Sequence, residues 1–303
     1  MKLRLIFLVL SCLPTAAGPY PGMTGTTGSD AIHKDDPRLL AWATGHSEVL
    51  YGKDVDAVWR TPAKAYGKAT GGIYDIVCLG NGGRITLYFP HPVRDGEGHD
   101  FAVFENSFST GFLELAFVEV SSDGTNFTRF PSASLTQNPV GASDLTMDPT
   151  NLNGLAGKYQ AGYGTPFDLA ALPASPALDK QNVRFIRIVD IIGNGNTKDS
   201  GNRPIYDPTP TIGSGGFDLE AVGVIHQNNG GFETVRHGIA GTSFEIAWSS
   251  NPGSQYRIDK SPDLSNWLPV QTMDGSKSSG TTSLTVAKPT DTSYFWRVVR
   301  LGP

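Results

Sequence analysis

The sequence predicts an all-β protein made of two β-sandwiches in series, and three observations carry that prediction. Gly 36 and Pro 21, together with many Asn, Asp, Ser and Thr, interrupt the 303 residues at short intervals, as turns do in β-rich chains. Between them lie short runs of β-branched and aromatic residues, while helix-forming runs are scarce. No strand–helix–strand rhythm appears, which argues against a parallel α/β sheet.

Taken in order, the chain opens with Lys2 and Arg4, an apolar stretch over 5–13, and the small residues Thr15-Ala16-Ala17. That is the pattern of a secretory signal over residues 1–17, cleaved near Ala17. It predicts a secreted, cell-surface or periplasmic protein. Val9-Leu10-Ser11-Cys12 offers lipidation at Cys12 as a weaker alternative. With the leader removed only Cys78 remains, so no intrachain disulfide is expected, and its apolar neighbours Ile76, Val77 and Leu79 predict a buried, inert thiol.

The first domain is placed at 30–227, with strands over 73–79, 84–89, 100–105, 113–121, 127–130, 183–190 and 217–224 and helical turns over 37–44 and 167–172. Asn81-Gly82-Gly83 and Asp123-Gly124 supply the positive φ angles that tight connections need. The stretch 131–182 exceeds an ordinary connection and predicts a face decorated with loops. Gln227-Asn228-Asn229-Gly230-Gly231 is a polar, glycine-rich hinge. Beyond it, over 228–303, strands are expected at 243–248, 255–260, 268–272, 283–287 and 294–299, enough for a small second sandwich.

A net charge of −5, without a Lys/Arg block beyond the first residues, excludes the electrostatic footprint of a nucleic-acid binder. After the leader no stretch is long and apolar enough for a transmembrane helix.

The run Cys78–Leu87, followed by Asp95-Gly96-Glu97-Gly98-His99-Asp100-Phe101-Ala102-Val103-Phe104-Glu105-Asn106-Ser107-Phe108, then Val118–Gly124 and Gly215–Val222, resembles a domain of bacterial secreted and cell-surface proteins related to discoidin and galactose-binding-like jelly rolls. Tyr256–Trp267 and Tyr294–Val298 resemble fibronectin type III-like modules of such proteins. The resemblance implies a jelly-roll β-sandwich followed by a fibronectin type III-like β-sandwich, with no catalytic assignment. It also implies a structural calcium ion at one edge of the first domain.

Acids at strand ends give that ion candidate ligands. Alternation along a strand puts Glu105 on the face of Phe101 and Val103, and puts Asp218 and Glu220 together on the face away from Phe217, Leu219 and Ala221. Carboxylates that close repel unless a cation or hydrogen-bond donors intervene, and calcium accepts many oxygens in irregular geometry. The expected calcium set is Asp100, Glu105, Asn106, Asp218 and Glu220. The competing reading has these acids accept backbone N–H bonds or pair with Arg84, Arg184 or Arg187. The loop 190–199 is a second oxygen-rich stretch without the EF-hand spacing.

Enzyme signatures are weak. Asp199-Ser200-Gly201 lacks the flanking glycines and histidine of a serine nucleophile loop, and the six His are scattered without zinc-ligand spacing. For ligand binding, aromatic rings on loops are the useful groups: Tyr159, Tyr163 and Tyr206 first, then Trp59 and Tyr66. The expected function is non-catalytic binding of a glycan or other cell-surface ligand. The alternatives are a structural surface or matrix component, and a secreted hydrolase with its site in the 131–215 loops.

Overall fold

The computed structural model describes residues 17–228, 234–251, 253–276, 280–288 and 294–301. The leader lies outside the described residues, apart from Ala17, as do positions 229–231 of the hinge. The chain is all-β, as its turn-rich composition predicts: strands carry the architecture, and the helical elements are four single 3-10 turns among the described residues.

Residues 32–224 form two antiparallel sheets packed face to face. The first has the order Ile32–His33, Tyr163–Phe167, Phe101–Glu105, Asp218–Val224, Ala41–Trp42, with Val77–Cys78 added to the start of Asp218–Val224. The second has the order Gly45–Leu50, Arg84–Val93, Val183–Asp190, Ala116–Ser121, Thr128–Arg129. Between them lies the main core, in which Ile85, Leu87, Val118, Val120, Ile186 and Ile188 of one sheet meet Phe101, Val103, Leu219, Val222 and Val224 of the other. Phe101 stacks on Phe167 at 5.3 Å, and Phe130 meets both rings edge-on.

Phe101–Glu105 is buried on both faces. Phe101 and Val103 point into the main core, whereas Ala102 and Phe104 pack beneath Ile32, Ala69 and Trp42 in a second, outer cluster. The first sheet is therefore covered outside by the segment leading into it, which explains why this strand lacks a polar face.

Most predicted strands agree with the structure to within a few residues, and 183–190 coincides with Val183–Asp190. Two differences have clear causes. Residues 37–44, expected as a helical turn, contain the short strand Ala41–Trp42, whose pairing with Gly223 and Val224 outweighs local preference. Tyr163–Phe167 escapes sequence reading because Gly164 and Pro166 interrupt it. Its outer neighbour spans only Tyr163 and Gly164, so Pro166 lies where the outer side is an open edge and a missing N–H costs little.

Residues 234–301 form two three-stranded antiparallel sheets, Thr234–Ala240, Ser243–Ser249, Thr281–Ala287 and Leu268–Asp274, Gln255–Ser261, Phe295–Leu301. Their core is separate, built on Ile246, Trp248, Tyr256, Ile258 and Leu284. Among the described residues no strand pairing links this unit to the first. Side chains do: Arg184 donates to the carbonyls of Ser250, at 3.1 Å, and Gly280, and Arg300 lies 3.0 Å from His91.

One turn occurs in both units. Ser121-Ser122-Asp123-Gly124-Thr125-Asn126 and Ser261-Pro262-Asp263-Leu264-Ser265-Asn266 share a geometry. In each the Asp accepts from the Ser hydroxyl at 3.0 Å, from the backbone N–H three residues on at 2.8 Å, and from the Asn side chain. The ring that follows lies under an arginine, Phe127 under Arg187 and Trp267 under Arg297. The residue after the Asp is left-handed in both, Gly124 at φ 75 and Leu264 at φ 63. No helix among the described residues is long and apolar enough to cross a membrane.

Candidate functional site

The antiparallel register brings the end of Phe101–Glu105 against the start of Asp218–Val224, with Leu219 opposite Glu105 and Asp218 opposite Cys78. Val183–Asp190 ends at the same pole, where Asp190 accepts from the N–H groups of Gly82 and Phe217, both at 2.7 Å. Gly216, at φ 84, makes this approach possible, since a Cβ there would lie 2.6 Å from the Gly80 backbone and 2.8 Å from Asp190 Oδ1.

Five carboxyl groups gather here within the fold: Glu105, Glu114, Asp190, Asp207 and Asp218, each no more than 6% exposed. Asp207 takes the N–H of Leu115 at 2.9 Å. Glu105 Oε2 takes the N–H of Ser107 at 2.8 Å, and Asp218 Oδ2 takes the side-chain N–H of Asn106 at 3.2 Å. Two oxygens have no partner although they are shut from solvent: Glu105 Oε1 and Asp218 Oδ1. A buried acceptor left unpaired is costly, so these two atoms are places where a proton or a cation is stabilising.

Burial raises the pKa of every member of this group, and neighbouring acids add to it for all but Asp190. Glu105 is held well above the usual carboxylate range by burial and then by Asp218. Glu114 is held there by burial and by Asp218, Glu105 and Asp207. Burial lifts Asp207 likewise, Asp218 to about 7 and Asp190 to about 6. No Lys or Arg is prominent among the influences on these five. Arg84 pairs with Glu48, and Arg187 with Glu48 and Glu119.

Glu114 and Asp218 reach the wall of an open crevice of about 410 Å³. Its rim is aromatic and apolar. Trp59 and Tyr74 stack at 6.4 Å, Phe108 and Phe112 lie 4.9 Å apart, and Tyr74, Phe108 and Ile212 are 72%, 63% and 80% exposed. Asn106, Thr211 and Ser214 add polar groups, and the lining contains no Lys, Arg or His.

Of the residues the sequence marked for calcium, Glu105, Asn106 and Asp218 come together. Asp100 lies at the other end of its strand, accepting from Gly96 N at 2.8 Å and Leu169 N at 2.7 Å, with His226 Nδ1 at 2.8 Å. Glu220 turns to the 70–71 turn, where Oε1 accepts from the N–H groups of Thr70 and Gly71 at 2.6 Å. A bulge between Leu219 and Ala221 is the reason. It resets the alternation, sending Leu219 to the main core and Ala221 to the outer cluster, so Asp218 and Glu220 do not act as one pair.

The marked aromatics separate in the same way. Trp59 lines the crevice. Tyr159 is buried with its hydroxyl on Asp30, so its ring offers no face to a ligand. Tyr66 is half-buried against the main core and bonds His46. Tyr206 packs on the cluster around Ile205, and Tyr163 meets His33 edge-on at 5.0 Å. None of these four lines the crevice. Sequence reading passed over Glu114, Tyr74 and Phe108. Glu114 sits between the apolar Leu113 and Leu115, and an acid inside an apolar run was the available signal.

The all-oxygen donor set, with Glu105 Oε1 and Asp218 Oδ1 unclaimed, suits a hard cation. The spacing is less favourable. The one trio of acids among the described residues whose oxygens all lie within 4.8 Å is Asp95, Asp100 and Asp168, where both Asp100 oxygens are already engaged. No family model matches the chain, and no curated protein does.

Proposed function

We propose that the protein is an exported, non-catalytic binding protein whose crevice, between the 72–76, 106–114 and 210–214 segments, recognises a glycan. The observation that carries this reading is the combination of exposed Tyr74 and Phe108 and half-buried Trp59 with polar groups and the Glu114 and Asp218 carboxyls in one lining. Sugar rings stack their C–H faces on aromatic rings, and their hydroxyls need donors and acceptors at fixed points. The leader-like first residues support export. The jelly-roll identity of the first unit, with a fibronectin type III-like second unit as a spacer, belongs to the same proposal.

The unclaimed oxygens favour a second element, a structural calcium ion held by Glu105, Asn106 and Asp218. Bound there, it would neutralise two buried carboxylates and tie the two strands that deliver them.

A glycan array probed with residues 18–303 tests the main reading. Binding that disappears in Trp59→Ala and Tyr74→Ala supports it. No binding to any glycan would favour a structural role, and turnover of a bound polysaccharide would make the site a hydrolase.

A further inference from the structure

The crevice is electrically one-sided. Glu114 and Asp218 reach its wall, the buried Glu105 interacts electrostatically with both, and among the described residues that line it there is no Lys, Arg or His. Asp218 is 6% exposed and its Oδ1 has no donor, nor does Oε1 of the 1% exposed Glu105. A ligand that supplied only hydroxyl groups would bring these acids no opposite charge, whereas a cation seated beside them favours their ionised form. An anionic ligand would meet repulsion without a compensating group.

The rim narrows the choice further. A protonated amine donates in several directions and is attracted to aromatic faces, and the stacked Trp59 and Tyr74, with the exposed Phe108 in the same lining, present such rings. Asn106, Thr211 and Ser214 stand in the same lining. Ring hydroxyls can use the remaining hydrogen-bonding capacity of those groups, and a lysine stem cannot.

Resting on the glycan reading above, we propose that the ligand is an amino sugar with a free, protonated amine, its ammonium donating to Asp218 and Glu114 and its ring lying against the aromatic rim. The ammonium then supplies the positive charge at Asp218, in competition with the calcium ion proposed for the same carboxyl. Charge-assisted hydrogen bonds of this kind are the strong ones, and they discriminate against an acylated nitrogen, which carries one N–H and no charge.

The test is calorimetric titration of residues 18–303 with two oligosaccharides of equal length, a glucosamine tetramer and its fully N-acetylated counterpart, each in chelator and in excess calcium. The expected result is binding of the free-amine tetramer at least about tenfold tighter than the acetylated one. Asp218→Asn should remove most of that difference, and Phe108→Ala should weaken the free-amine tetramer while leaving the fold intact by circular dichroism. Equal affinity for the two tetramers, or binding only of the acetylated one, overturns the amine assignment and leaves the glycan reading standing. Binding of a lysine-rich peptide in preference to either sugar supports the cationic site but overturns the amino sugar as ligand and the glycan reading with it. Binding of sugar only when calcium is present, unaffected by acetylation, assigns the charge to the metal and overturns the proposal.

Discussion

Replacing Asp218 by Asn separates the cost of a buried charge from the value of a buried shape. In the ligand-free protein Asp218 has a pKa of about 7 against an ordinary value of 3.8. Between those values the folded protein keeps a proton that the unfolded chain releases. The contribution of this group to stability is therefore complete below about pH 4 and falls as the pH rises toward 7, by about 1.4 kcal/mol per pH unit. The shift of about three units corresponds to roughly 4 kcal/mol withdrawn by pH 8. Asn carries no charge at any of these values and still offers an oxygen to Asn106. Urea denaturation in chelator at pH 5 and pH 8 reads the effect. Wild type should lose stability between the two, the variant should lose markedly less, and at pH 8 the variant should be the more stable protein. A variant less stable than wild type by the same amount at both pH values would refute the reasoning, because Asp218 would then act through ionised contacts.

Other outcomes follow from single features. Leu264 occupies a left-handed position that Gly124 fills in the matching turn, so Leu264→Gly should stabilise by about 0.5–1 kcal/mol in urea melts, and Gly124→Ala should cost about 1 kcal/mol. Asp190→Ala leaves the buried N–H groups of Gly82 and Phe217 without acceptors and should cost roughly 2–5 kcal/mol by the same measurement. Cys78 is buried, and burial raises its pKa, so an alkylating reagent should label it only after unfolding; rapid labelling of the native protein would contradict its placement. If calcium binds at Glu105 and Asp218, chelation should lower the melting temperature of wild type and leave that of Asp218→Asn unchanged.

The fold was readable where local pattern and tertiary pairing agree. Val183–Asp190 and Asp218–Val224 are long, apolar and bounded by turns, and both stand close to their expected limits. Tyr163–Phe167 was hidden because its place depends on an open edge opposite Pro166, which only the assembled sheet reveals. The site was half legible. Glu105, Asn106 and Asp218 stand at strand ends, and the antiparallel register joins them. Glu220 was misplaced by a bulge, which changes the phase of a strand without leaving a mark in its composition. Tyr159 looked like a loop aromatic, and it is a loop residue, but Asp30 arrives from far along the chain to take its hydroxyl and close it in. Tyr74 and Phe108 gave the opposite error, since nothing in their neighbours announces that their rings stay in solvent.

If the crevice binds the ligand, its rim residues must set the affinity. The most direct measurement is the affinity of wild type and Phe108→Ala for the tightest glycan found on the array, with Tyr206→Ala as the control beyond the crevice. Phe108→Ala should lose about tenfold or more in affinity, and Tyr206→Ala should keep wild-type affinity. Unchanged affinity in Phe108→Ala, with binding lost in Tyr206→Ala, would contradict this placement and move the site to the face carrying the 194–206 segment.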